Sequence, residues 1–152
     1  MLDTTDRKIL RYLQRHGRCS NSELAIAVGR SESACLRRVR QLEDAGVIRG
    51  YSAQLDPRAA GFPLIVFVYI ALDHQRAADL DAFEVAVTGI AAVTECYLMT
   101  GEFDYVLKCV AADAADFERV HKEQLTQLPG VTRIQSSIAL RVVADSRGLP
   151  LR

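Results

Sequence analysis

The amino-acid sequence predicts an α+β chain in two parts, an N-terminal winged helix-turn-helix of three helices followed by a ferredoxin-like β-α-β-β-α-β domain. Three observations lead there. Residues 1–50 carry apolar positions at helical spacing, each stretch bounded by a capping residue and a glycine. From Pro63 the period becomes that of strands, interrupted by two helical stretches. The charge divides at the same place: residues 1–50 hold ten Arg or Lys against six Asp or Glu, a net of +4, and residues 51–152 hold nine against thirteen, a net of −4. The zero net charge of the 152 residues therefore conceals a basic module joined to an acidic one.

In the basic module, Asp3 or Thr4 caps a first helix whose apolar positions are Ile9, Leu10 and Leu13, and Gly17 ends it. SNSE, residues 20–23, is a capping box: Ser20 can accept the amide of Glu23 while Glu23 reaches back. It opens a short helix with Leu24, Ala25 and Val28 inside, stopped at Gly29. Ser31 caps a third helix in which Cys35, Val39 and Leu42 fall at i, i+4 and i+7, with Leu36 flanking, up to Gly46. Two short helices hinged at a glycine form a helix-turn-helix. The far face of the third helix carries Ser33, Arg37, Arg40 and Gln41, with Arg38 beside it. Arginine can fork onto guanine or phosphate, glutamine can pair with adenine, and a capped helix N-terminus at Ser31 offers amides to phosphate. A solvated helix face is the plain alternative; three helices of suitable length and the local +4 favour double-stranded DNA as the partner.

VIRGYSAQL, residues 47–55, is β-like but broken at Gly50 and reads as a wing or a tether strand. Asp56-Pro57 and Gly61 punctuate a linker over residues 51–62, separating a DNA-binding domain at 1–50 from a second domain at 63–152. LIVFVYIAL is apolar on both faces, which suits a strand buried against helices and a partner. Residues 76–88 return to helical spacing through Leu80, Phe83 and Val87. ECYLMT and YVLKCV then read as strands around a four-residue turn, GEFD. Asp113 caps a helix containing Phe117, Val120, Leu125 and Leu128; LPGV ends it, and TRIQSSIALRVV alternates as the last strand. Two helices cover one face of such a sheet, so the other face needs a partner, and a homodimer through the sheet is the economical answer. A symmetric turn would set Cys96 opposite Cys109.

No apolar run approaches a membrane span of roughly 20 residues, and the charged start MLDTTDRKIL is not that of a signal peptide, so a soluble, cytoplasmic protein without a membrane partner is expected. Cys19, Cys35, Cys96 and Cys109 lack a CxxC spacing and sit among apolar residues, as buried reduced thiols do, and neither a metal nor a cofactor is expected.

SESACLRRVRQLEDAGVIRGY, followed by a β-α-β-β-α-β domain containing ECYLMTGEFDYVLK and LPGVTRIQSSIAL, resembles the Lrp/AsnC, or feast/famine, family of transcriptional regulators. The likeness covers essentially the whole chain. It implies a transcription factor that forms dimers, usually assembled into discs of four, with an amino-acid effector bound between dimers. Carried over to this sequence, the resemblance makes residues 31–44 the recognition helix. It lines the effector pocket with Leu98, Met99, Thr100, Gly101 and Asp104 from the hairpin and Ser136, Ser137 and Ile138 from the last strand. Glu102 stands where many relatives have aspartate, and Ser137 where the leucine-responsive member has a bulky aromatic, which opens space. An enzyme using Glu102 and Asp104 competes poorly, because His74 and His121 offer no nucleophile-and-base set and no metal spacing. An amino-acid-sensing module acting on another protein is the remaining alternative.

Overall fold

The computed structural model describes residues 2–145 and 148–151. Helices α1 (Thr4–His16), α2 (Asn21–Val28) and α3 (Glu32–Asp44) precede strand β1 (Leu64–Leu72) and helix α4 (Ala77–Thr88). Strands β2 (Val93–Leu98) and β3 (Tyr105–Ala111), helix α5 (Ala114–Glu123) and strand β4 (Val131–Ile138) complete the order. The chain separates into two compact units, one comprising the residues up to Gln54 together with the segment from Val143, the other Leu55–Val142. Within the first unit Leu151 packs against the apolar cluster of the helices.

The first unit follows its local signals. Asp3 accepts the amide of Asp6 at 2.8 Å and Asp6 returns a bond to the Asp3 amide, a capping box for α1. Ser20 and Glu23 form the second box. Gly29, at φ +68, ends α2 in the left-handed conformation that glycine adopts without strain. Ile9, Leu10, Leu24, Ala25, Val28, Cys35 and Leu42 are buried together, while Leu36, expected beside them, is 40 % exposed. Among the described residues the 47–55 segment forms neither wing hairpin nor ladder, and no strand of this unit lies there for it to pair with.

In the second unit the sheet order is β2-β3-β1-β4, all antiparallel. The alternation of β1 sorts its two faces. Val66, Val68, Ile70 and Leu72 are buried with Tyr105, Leu107 and Cys109 of β3, beneath Phe83 and Val87 of α4 and Val120 of α5. Phe83 stacks on Tyr105 with ring centroids 4.3 Å apart, and the Tyr105 hydroxyl donates to Glu84 Oε1 at 2.8 Å. The opposite face presents Phe67 and Tyr97, 38 % and 55 % exposed.

Three expectations are corrected. Leu98 pairs with Tyr105, so the connection is the six residues Met99–Asp104 rather than four. Cys96 then lies opposite Leu107, and Cys109 opposite Val93; all four cysteines are free thiols, and burial pushes Cys109 up to about 11. Second, α5 stops at Glu123, where Gln124 leaves helical geometry at φ −123; Leu125 opens a separate 3-10 turn and, with Leu128, still reaches the core. Third, β4 ends at Ile138, not at Val143. Its partner β1 starts at Leu64, and the last bond between the two runs from the Ala139 amide to the Ile65 carbonyl at 2.9 Å, so the ladder ends where β1 begins.

Candidate nucleic-acid interface and effector site

Helix α3 is fastened at its N-terminal end by two contacts. The Ser31 hydroxyl accepts the Ala34 amide at 3.3 Å and caps the helix. The Asn21 amide group donates to the Glu32 carbonyl at 2.8 Å, tying the start of α2 to the first turn of α3. With Cys35 and Leu42 buried, the opposite face is turned outward: Ser33, Arg37, Arg40 and Gln41 are exposed and make no ion pair in the described residues. Arg38 is placed differently. Its guanidinium is paired with Asp3 and, at 2.9 Å, with Asp6, the capping carboxylates of α1. The Asp6 amide, and after it the Arg38 guanidinium, hold Asp3 below the usual carboxylate range. Arg38 therefore joins α3 to α1, and the charge its helix presents outward comes from its neighbours.

Sequence reasoning overlooked Arg30. It sits in the α2–α3 turn, lines a cleft of about 220 Å³ with Thr5, Ala34, Arg37 and Arg38, and reaches the Thr5 hydroxyl at 3.4 Å. Its place directly before the Ser31 cap was the available signal. Guanidinium groups around a concavity at a helix N-terminus suit an anion such as a backbone phosphate.

The second candidate site lies where β2, β3 and the end of β1 meet. Leu98, Met99 and Thr100 are exposed there, and Gly101, at φ +113 with open space around it, turns the chain as few residues with a Cβ could. Asp104 is half-buried and already engaged. Its Oδ2 accepts the Leu72 amide at 2.7 Å and its Oδ1 the Gln75 side-chain amide at 2.9 Å. Its own amide donates to Ile70 O and its carbonyl accepts from the Met99 amide, both at 2.8 Å. A carboxylate has about four acceptor positions, so two remain for a ligand. Gln75, in the loop before α4, was not foreseen because its contact depends on the tertiary meeting of β1 and β3.

Glu102 is not an isolated turn residue. Arg133, from β4, pairs with it at 2.8 Å and lies 4.5 Å over the Phe103 ring, while Phe103 approaches Tyr69 at 5.6 Å between centroids. This bracket fixes the loop from the open face of the sheet.

Ser136, Ser137 and Ile138 are not brought to the hairpin within one chain. Ile138 pairs with Val66, whereas Leu98 shares a row with Tyr105 and Ile70. The separation is about 14 Å across three strand spacings and about 13 Å along four residues. Ser136, opposite Val68, and Ser137, opposite Phe67, also point to opposite faces. Among the described residues no group of three or more His, Cys, Asp or Glu could hold a metal ion, and no helix is long and apolar enough to cross a membrane.

Comparison with known proteins agrees with this layout. Residues 2–49 match the family model for winged helix-turn-helix DNA-binding domains, and residues 65–149 that for the Lrp/AsnC ligand binding domain. The chain is 44 % identical over 145 residues to a leucine-responsive regulatory protein of Rhizobium meliloti, covering 95 % of this chain and 93 % of that one. It is 39 % identical over 151 residues to the protein of that name in Escherichia coli, covering 99 % and 92 %. Among solved structures, a transcriptional regulator of Neisseria meningitidis in complex with L-methionine superposes with a TM-score of 0.93 at 37 % identity, covering 99 % of this chain and 97 % of that one. A feast or famine regulatory protein of M. tuberculosis complexed with L-methionine gives 0.89 at 36 %, covering 98 % and 99 %.

Proposed function

This chain belongs to the Lrp/AsnC family of DNA-binding transcriptional regulators, and from that premise we propose that it reads double-stranded DNA with α3 as a homo-oligomer whose affinity is set by an amino acid at the β2–β3 hairpin. The observation that carries the reading is the outward face of α3, on which Arg37, Arg40 and Gln41 are exposed beside Arg30, with Ser33 bonded to the Ser31 hydroxyl at 3.3 Å, while Arg38 ties the helix to α1. Ser31 contributes as the cap that points helix amides at a phosphate. A dimer presents two such helices to major grooves about 34 Å apart, which calls for an operator with loosely inverted half-sites. Assembly of dimers toward an octamer would raise avidity by about 10²- to 10⁴-fold without new base contacts. The protein acts in the cytoplasm, on DNA, with the partly exposed aromatic face of the sheet as its dimer contact.

For the effector, the free acceptor positions of Asp104 suit an ammonium, the open backbone at Gly101 suits a carboxylate, and Leu98 and Met99 offer apolar surface. The two relatives solved with L-methionine support an amino acid as the ligand class. Ser136 with Ile138 from one face of β4, or Ser137 from the other, can complete such a pocket only from a neighbouring chain. The ligand then acts through its differing affinity for alternative assemblies, typically about 1–3 kcal/mol of coupling.

The test is a thermal-shift screen of the twenty amino acids paired with titration of promoter fragments. Stabilisation by one or a few amino acids, with a matching change in promoter affinity, is the expected result. An unchanged melting temperature with every amino acid removes the effector, and promoter affinity no greater than that for random DNA removes sequence-specific regulation.

A further inference from the structure

Helix α1 carries a site that reads a peptide backbone, and a segment of this chain occupies it. The Gln14 amide group bonds Leu149 in both directions: its Nε2 donates to the Leu149 carbonyl at 3.3 Å, and its Oε1 accepts the Leu149 amide. One helical turn earlier Arg11 closes on the Leu151 carbonyl with two donors, Nε at 3.2 Å and Nη2 at 2.6 Å. Leu151 packs against the apolar cluster of the helices, while Leu149 is left 74 % exposed. The contact is therefore made through main chain and one anchoring side chain. Gly148 lies so close that a Cβ there would stand 2.7 Å from Gln14 Oε1, and its φ of +75 is one that other residues rarely adopt. Backbone paired by a side-chain amide, a forked cation on a carbonyl and an apolar anchor are the features of peptide recognition.

We propose that the Gln14–Arg11 face of α1 is a docking surface for the segment Gly148–Leu151 of the same chain, a releasable clip that attaches the DNA-binding unit at a second point. The unit is joined to the rest of the polypeptide after Gln54 and again before Val143. With the clip closed, the second joint restrains the unit; with it open, the unit stays joined through the linker after Gln54. Among the described residues the contact is small, four hydrogen bonds and one leucine, so local opening is accessible without unfolding either unit. Restraint lowers the ordering cost of placing two recognition helices on DNA, so opening the clip weakens promoter binding.

Hydrogen exchange of the full-length protein tests this directly, compared with Gln14→Ala, Gly148→Ala, and a chain ended after Asp145. Each change is expected to speed exchange in α1 by about tenfold while leaving β1 and β3 unaltered. Because all three remove the same contact, combining Gln14→Ala with either of the others should add nothing further. Promoter affinity should fall severalfold in step. Unaltered α1 exchange in the shortened chain, or effects that simply add, would overturn the clip. Mixed oligomers of the shortened chain with Gln14→Ala chains should recover no protection, since neither chain can close its own clip. Recovery in the mixture would mean that the segment docks on a second copy, overturning the intrachain assignment.

Discussion

The Asp104 carboxylate accepts the backbone amide of Leu72 at 2.7 Å, so the residue that opens the path into β3 also terminates β1. With Gln75 on its other oxygen, Asp104 is first a fastening of the sheet and only then a candidate ligand group. Asp104→Ala is expected to leave the Leu72 amide unpaired and to cost about 1–3 kcal/mol of stability. Asp104→Asn keeps one acceptor and should cost less. Denaturant unfolding of the two variants checks this, and equal stability of Asp104→Ala and the parent would remove the fastening role. Effector binding must therefore be compared at matched folded fraction, since loss of ligand response in an unfolding variant says nothing about the pocket.

The arginines of α3 divide into two kinds, and their variants should divide likewise. Arg37→Ala and Arg40→Ala are expected to weaken promoter binding while leaving the melting temperature unchanged. Each that contacts a phosphate should reduce the slope of log affinity against log salt by about 1. Arg38→Ala should instead lower the melting temperature, because Asp3 and Asp6 lose their shared partner. A salt titration alongside calorimetry separates the two, and a stable Arg38→Ala protein with a lowered salt slope would return Arg38 to the DNA-contacting set.

Legibility followed the range of the interaction that decides each feature. The capping box of Ser20 and Glu23 was readable because both partners lie within four residues, and β1 was readable because nine successive apolar residues leave little else for the chain to do. The hairpin was misread by two residues on account of Asp104, whose bonds to Ile70 and Leu72 come from another strand and fix a six-residue loop where the local sequence suggested four. Arg38 looked like its neighbours on the helix, yet its partners are 32 and 35 positions away. The end of β4 was set by where β1 begins, which the alternation of residues 132–143 does not contain. The split of the pocket residues between two regions of one chain was invisible for the same reason.

The open sheet face makes a prediction about assembly. Phe67 lies between Lys108 and Ser137 in the ladder and is flanked by Tyr69, so a charge there would meet a like charge and lose apolar contact. Phe67→Lys is expected to shift sedimentation from the oligomer to the monomer at micromolar concentration, with the far-ultraviolet circular dichroism unchanged. Retention of the oligomer would place the dimer contact elsewhere.

Acid should open the DNA-binding unit through its caps. Asp3 is held below the usual carboxylate range chiefly by the Asp6 amide, and Glu23 chiefly by the Ser20 amide. A carboxyl whose folded value lies below its unfolded one contributes stability that is complete above the unfolded value, near 4, and is lost as pH falls through the folded value. The melting temperature of this unit should accordingly be flat from about pH 7 to 5 and decline below about pH 4. Asp3→Asn and Glu23→Gln keep a side-chain acceptor but cannot titrate. Each should melt lower than the parent at neutral pH, and the difference should shrink toward zero as the pH drops. A difference that stays constant down to pH 3 would mean that the caps act through shape and hydrogen bonding alone, with the carboxylate charge contributing nothing.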